Sequence, residues 1–273
     1  MRGSYVELKN ERYVLIHDTL LDFLCCYFGE NFPEIVIKYA DKQIIFERIQ
    51  LKSISACLET YIIEISEEFE REYFQRISKE MLNGNIIKAL DSPQMQYEQY
   101  QVKIVHILQQ LDKQKLTDLM MITTDISEPL FLACSRGYDP IVRLFIDTGA
   151  DINQQNSCGR TPLMSASFNG HKKTVLLLID KGADINKCDY DEWTALTYAC
   201  RKGFQDIVQM LIDNGASIDE VCEHSISPLE IAKLNEHKEI MNLPLLKGAK
   251  SKRIHKMRSS TSPYNRMPWN QNF

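Results

Sequence analysis

Residues 159–186 read GRTPLMSASFNGHKKTVLLLIDKGADIN. Thr161 followed by Pro162 is a helix start. A threonine hydroxyl can accept from the free amides of the first turn, and proline loses nothing at the first helical position, where its missing N–H would have no partner. Leu163 and Ala166, then Val175, Leu177 and Leu178, supply the apolar faces of two short antiparallel helices. Gly170 stands where the first helix must stop and Gly182 where the second must, in a left-handed conformation that glycine tolerates. The GADIN segment then leads into an extended β-turn finger. Almost nothing in the stretch could do chemistry, so function has to be sought around it.

The stretch recurs. Glu128-Pro129-Leu130-Phe131, Thr161-Pro162-Leu163-Met164, Thr194-Ala195-Leu196-Thr197 and Ser227-Pro228-Leu229-Glu230 begin 33 residues apart. Gly-Ala pairs at 149, 182, 215 and 248 keep the same spacing without an insertion. On these landmarks the chain resembles the ankyrin repeat family over residues of about 122–250, whose hallmark is T-P-L-H-x-A followed by a second helix. The resemblance implies a mainly α fold: an ankyrin-repeat helical solenoid with β-turn fingers, four units over residues 121–250. A single unit cannot bury its own apolar faces, so stability comes from stacking. The fourth unit has Glu236 where the others have Gly137, Gly170 and Gly203, and Pro244 inside its second helix, which marks it as a degenerate C-terminal cap. The first unit has Glu128 in place of the family's threonine and is expected to lean on the N-terminal region. The family's histidine is replaced by Phe131, Met164, Thr197 and Glu230. Because that histidine helps tie neighbouring fingers, less rigid loops are expected here.

Residues 1–120 lack the period and are expected to form a smaller α+β or helical domain. EIVIKYADKQIIFERI (34–49) alternates around Ala40-Asp41-Lys42 and reads as a β-hairpin. A helix bearing Leu51, Ile54 and Leu58 should follow, then a strand at 61–65, a helix through Phe69, Phe74 and Ile77, and a turn at Leu82-Asn83-Gly84-Asn85. This order is similar to a BTB/POZ domain over residues of about 30–120, which would imply dimerisation and a substrate-adaptor role on a cullin-type ubiquitin ligase. Residues 1–29, with an apolar patch at Leu20–Tyr27, read as a docking helix.

Charge is uneven. Residues 1–120 carry a net −5, residues 121–246 carry 11 basic and 18 acidic side chains for −7, and residues 247–273 carry seven basic and none acidic. The basic, Ser/Pro/Asn-rich tail (251–273) has no periodicity and should be disordered. Lys250, Lys252, Arg253, Lys256 and Arg258 make it a candidate nuclear-import or nucleic-acid patch, a modest signal without regular aromatic interleaving. The eight cysteines contain no CxxC pair, and Cys222-Glu-His224 has no second pair near it, so reduced, mostly buried thiols are expected rather than zinc. Cys134 and Cys200 follow the helix alanines Ala133 and Ala199 and should pack inside. No apolar run approaches the about 18 residues of a membrane span. The N-terminus has no signal-peptide core, and the whole points to an intracellular protein, cytoplasmic or nuclear.

No phosphate loop, dinucleotide glycine motif, HExxH or GxSxG occurs. His171 and His237 fall at the start of second helices and read as helix-start residues. With no catalytic constellation and no cofactor motif, the expected function is a non-catalytic protein–protein interaction module. Its contacts should lie at positions the fold leaves free: Arg160, Phe168 and Asn169 in the second unit, and Tyr190, Asp191, Trp193, Arg201 and Lys202 in the third. Trp193 reads either as an exposed anchor for a protein partner or as a stiffener between fingers.

Overall fold

A computed structural model describes residues 6–9, 12–15, 27, 29, 31–54, 63–120, 129–218 and 227–243. From Pro129 onward the expected helix pairs are present. First helices are α7 (Pro129–Arg136), α9 (Pro162–Asn169), α11 (Ala195–Lys202) and α13 (Pro228–Leu234); second helices are α8 (Asp139–Thr148), α10 (Lys172–Asp180), α12 (Gln205–Asp213) and α14 (Lys238–Met241). Thr161, Thr194 and Ser227 cap their helices, each hydroxyl accepting from an amide three residues on at 3.3 Å. First helices pack on first helices and second on second, which generates the solenoid.

Other bonds stand where the family's histidine would tie the fingers. Three of the residues that replace the family's histidine bond back to the cap of their own unit: Met164 Sδ accepts from the Thr161 amide at 3.4 Å, Thr197 Oγ1 lies 3.1 Å from Thr194 Oγ1, and a Glu230 carboxylate oxygen accepts from the Ser227 hydroxyl at 3.4 Å. Finger-to-finger ties come from asparagines 33 residues apart instead. Asn153 Oδ1 accepts from the Asp184 amide and Asn186 Oδ1 from the Ser217 amide, both at 2.8 Å, and Gln155 Nε2 donates to the Cys188 carbonyl at 3.0 Å.

The N-terminal part departs more from expectation. In place of a hairpin over 34–49 there are two helices, α1 (Pro33–Tyr39) and α2 (Lys42–Glu47). Pro33 sits at the helix start, and the Asp41 carboxylate caps α2 by accepting from the Gln43 amide at 2.8 Å. Val36 and Ile37, like Ile45 and Phe46, are buried as adjacent pairs, whereas a half-buried strand would bury alternate residues. The hairpin was the first element of the BTB/POZ order, so that resemblance loses its footing. Leu51 does not open a helix. It ends strand β3 (Ile49–Leu51), which pairs in parallel with β4 (Ile63–Ile65), and Leu58 lies outside the described residues. Residues 6–9 and 12–15 are antiparallel strands β1 and β2 rather than part of a docking helix, and most of Leu20–Tyr27 is outside the described residues.

Helix α3 (Glu70–Glu80) ends in the expected turn, where Gly84 takes φ 87°, and α4 (Ile86–Leu90) continues from it. Helices α5 (Glu98–Gln109) and α6 (Lys113–Met120) follow. Helix α4 packs on α7 and α5 on α8, so this pair stacks as a further unit ahead of the four whose landmarks the sequence displays. It is tied to β3 by a buried polar network. The Gln94 amide donates to the Ile49 carbonyl and to the Tyr73 hydroxyl, its oxygen accepts from the Leu51 amide at 3.2 Å, and Tyr73 shares a 3.0 Å bond with Tyr100. Burial pushes the Tyr100 hydroxyl up to about 12, so both phenols stay protonated. One apolar cluster runs from Val36 to Leu243 through both parts.

At the far end the helices shorten to seven and four residues, and Glu236 adopts a left-handed φ of 59°. Pro244 and the whole tail, including Lys250, Lys252, Arg253, Lys256 and Arg258, are outside the described residues, as are Glu128, Cys222 and His224.

Candidate functional site

Asp189 organises the third finger. Its carboxylate accepts from the amides of Asp191 at 3.0 Å and Trp193 at 2.8 Å, an Asx turn that Asn156 repeats 33 residues earlier for Cys158 and Arg160. The second carboxylate oxygen accepts from the Tyr198 hydroxyl at 2.5 Å, and the Arg160 guanidinium lies 3.8 Å away. Closing the finger this way folds Trp193 back under α11. The tryptophan is therefore only 6 % exposed, which corrects its reading as an exposed aromatic. Its ring lies 5.2 Å from Tyr198, with the Arg201 guanidinium 5.2 Å over it.

Tyr198 is the hub. Arg160 sits 5.0 Å over its ring, Phe168 meets it edge-on at 5.7 Å, and Lys202 covers Phe168 at 4.2 Å. Three aromatic rings and three cations thus interleave between the second and third units, each cation held over a ring face. Of the eight residues expected to contact a partner, Arg160, Phe168, Trp193, Arg201 and Lys202 gather here, and Asp191 sits beside them through the Asp189 turn. Tyr190 is 73 % exposed and turns away, laying its ring over Gly159 of the preceding finger. Asn169 is exposed, but its amide is tied to the Ser165 carbonyl of its own helix at 2.9 Å.

Burial holds the Asp189 carboxyl above the ordinary carboxylate range, and the bonds from Tyr198 and two amides pull only part of the way back. The native state therefore binds the Asp189 proton more readily than the unfolded chain. This contribution favours folding at acid pH and is lost as pH rises from the unfolded value through the raised native one. Asp189→Asn keeps an acceptor for the two amides and removes the titration. The wild-type-minus-variant stability difference, from urea midpoints between pH 3 and 7, is expected to fall with rising pH. A difference that rises with pH would show a carboxylate stabilised in its charged form.

The histidines do more than start helices. His171 Nε2 lies 2.8 Å from the Ser135 carbonyl and His237 Nε2 2.9 Å from that of Arg201, each joining a second helix to the first helix of the preceding unit. Cys134 and Cys200 are buried as expected, and burial pushes the Cys200 thiol up to about 12, which leaves it unreactive. Cys188 departs from the expectation of reduced thiols: it is disulfide-bonded.

Residues 97–189 match the family model for ankyrin repeats in three copies, and residues 169–212 the model for ankyrin repeats in many copies. The first match begins at the threshold of α5, upstream of residue 121. No curated protein matches the chain. No helix among the described residues is long and apolar enough to cross a membrane. Landmarks 33 residues apart, stacked helix pairs and both family matches agree: the chain contains an array of ankyrin repeats, and that array is a protein–protein interaction module.

Proposed function

We propose that the chain binds a protein partner non-catalytically, through the concave face and fingers of its second and third repeats. The observation that carries this reading is the convergence of Phe168, Arg201 and Lys202 around Tyr198. Cations stacked on rings form a rigid platform, and little side-chain freedom remains to be lost on binding. Aromatic and arginine side chains on a fixed scaffold are the types that dominate interface energetics. Trp193 supports the platform from below and does not itself reach the partner.

A photo-cross-linking amino acid placed at Lys202, compared with one at Lys173 on the second-helix side, tests the assignment in native cells. Adducts to a defined protein from position 202 and not from 173 are expected. Equal adducts from both positions, or adducts from 173 alone, would move the binding face elsewhere.

A further inference from the structure

We infer that the partner segment is acidic at its centre and apolar at its ends, a deduction that rests on the concave-face reading above. Charge is segregated between the two helix layers. The first helices α7, α9, α11 and α13 carry four basic side chains (Arg136, Arg201, Lys202, Lys233) and one acidic, Glu230. The second helices α8, α10, α12 and α14 carry four basic and six acidic. A helix layer of net positive sign thus lies in a repeat region that is acidic as a whole.

The positions at the inner ends of the first helices are 33 residues apart: Ser135, Phe168, Arg201 and Leu234. Phe168 is half-buried under the Lys202 ammonium, and Leu234 is 62 % exposed. Between these two apolar positions stand Arg201 and Lys202. Neither has an ion-pair partner among the described residues, whereas Arg136 is paired with Asp91 and Lys172, on the other layer, with Asp206. Each of the two cations rests on a ring face, which fixes its position and leaves its N–H groups for a carboxylate. Adjacent packed helices are about 8–10 Å apart, so Phe168 and Leu234, two units apart, are separated by roughly 20 Å. An extended chain crosses that distance in about six residues at about 3.3 Å each. The stripe therefore fits a segment of about six to eight residues, with an aliphatic or aromatic side chain near each end and Asp or Glu between. A nucleic-acid backbone would also meet the two cations, but the surrounding −7 repels a long polyanion and spares a short acidic stretch.

A phage-displayed library of random 12-residue peptides, selected on the full chain and counter-screened on Arg201→Glu/Lys202→Glu, tests this. Recovered peptides are expected to be rich in Asp and Glu, flanked by Leu or Phe. In fluorescence anisotropy they should bind the double variant at least about tenfold more weakly, since two favourable contacts become repulsive. Their affinity should also fall as salt is raised from 0.05 to 0.5 M. Arg201→Gln/Lys202→Gln, with an unchanged circular dichroism spectrum, should give an intermediate loss and guard against misfolding. Neutral or basic peptides that still lose binding on the double variant would overturn the acidic assignment and leave the concave-face reading standing. Peptides indifferent to both variants, or no recovered peptide, would count against both. A fluorescein-labelled 20-nucleotide oligothymidylate that binds the wild type and not the double variant would transfer the stripe to nucleic acid and overturn the inference.

Discussion

Trp193→Ala is expected to lower the unfolding free energy by about 3–5 kcal/mol, the range for deleting a buried aromatic side chain, and not merely to weaken binding. The ring is 6 % exposed, packs on Tyr198 at 5.2 Å and has the Arg201 guanidinium 5.2 Å over it. Its loss opens a cavity under the third finger and removes a cation–ring contact worth about 0.5–1 kcal/mol at a partly exposed site. Urea denaturation followed by circular dichroism measures the change. A loss below about 1 kcal/mol, within the ordinary surface range, would return Trp193 to the exposed anchor the sequence first suggests. The result also bears on any binding assay at this face, because a defect in this variant would report folding. Phe168 and Lys202 are the cleaner probes.

Gly170→Ala is the second large effect, expected at about 2–5 kcal/mol. Two costs add. The residue sits at φ 82°, where a Cβ costs roughly 1–2 kcal/mol. The new methyl would also come 2.7 Å from Cζ of Phe204, which lies over the glycine from the next repeat, and relieving that overpacking costs about 1–3 kcal/mol. Gly182 separates the two terms. It has φ 87° with nothing within 4 Å of the added methyl, so Gly182→Ala should cost only the backbone share, about 1–2 kcal/mol. Thermal midpoints of the two variants, measured side by side, give the packing term by difference. Equal shifts would mean that the ring over the glycine contributes nothing to holding adjacent repeats.

The repeats were legible because each landmark is local. A cap, a proline at the first helical position and a left-handed stop are set by residues within four of one another. The N-terminal part was misread where two rules competed. The alternation in EIVIKY resembles a strand, but Pro33 and the Asp41 cap favour helices, and burial of Val36 and Ile37 as a pair decides it. Nothing local announces the Gln94 network either, since its partners Ile49 and Leu51 lie more than 40 residues away. The candidate site was found in pieces. Selecting positions the fold leaves free recovered the cations and Phe168, but it passed over Tyr198, which stands where other units have Leu132, Ser165 and Ile231. The small Ser165 beside a large Tyr198, one period apart, was the available signal. The α4–α5 pair escapes a 33-residue search because neither helix opens on a Thr-Pro or Ser-Pro start or ends on a Gly-Ala pair.

The two ends of the array are built to different strengths, and this gives its opening a direction. At one end the Tyr73–Gln94–Tyr100 network clasps the first helix pair to a strand far away in sequence. At the other, helices of seven and four residues flank a glutamate held left-handed. In a stack where each unit leans mainly on its neighbours, fraying starts at the weaker end and moves inward one unit at a time. The Tyr198 platform stands two units in from that end, so one unit can peel away before the platform loses its footing.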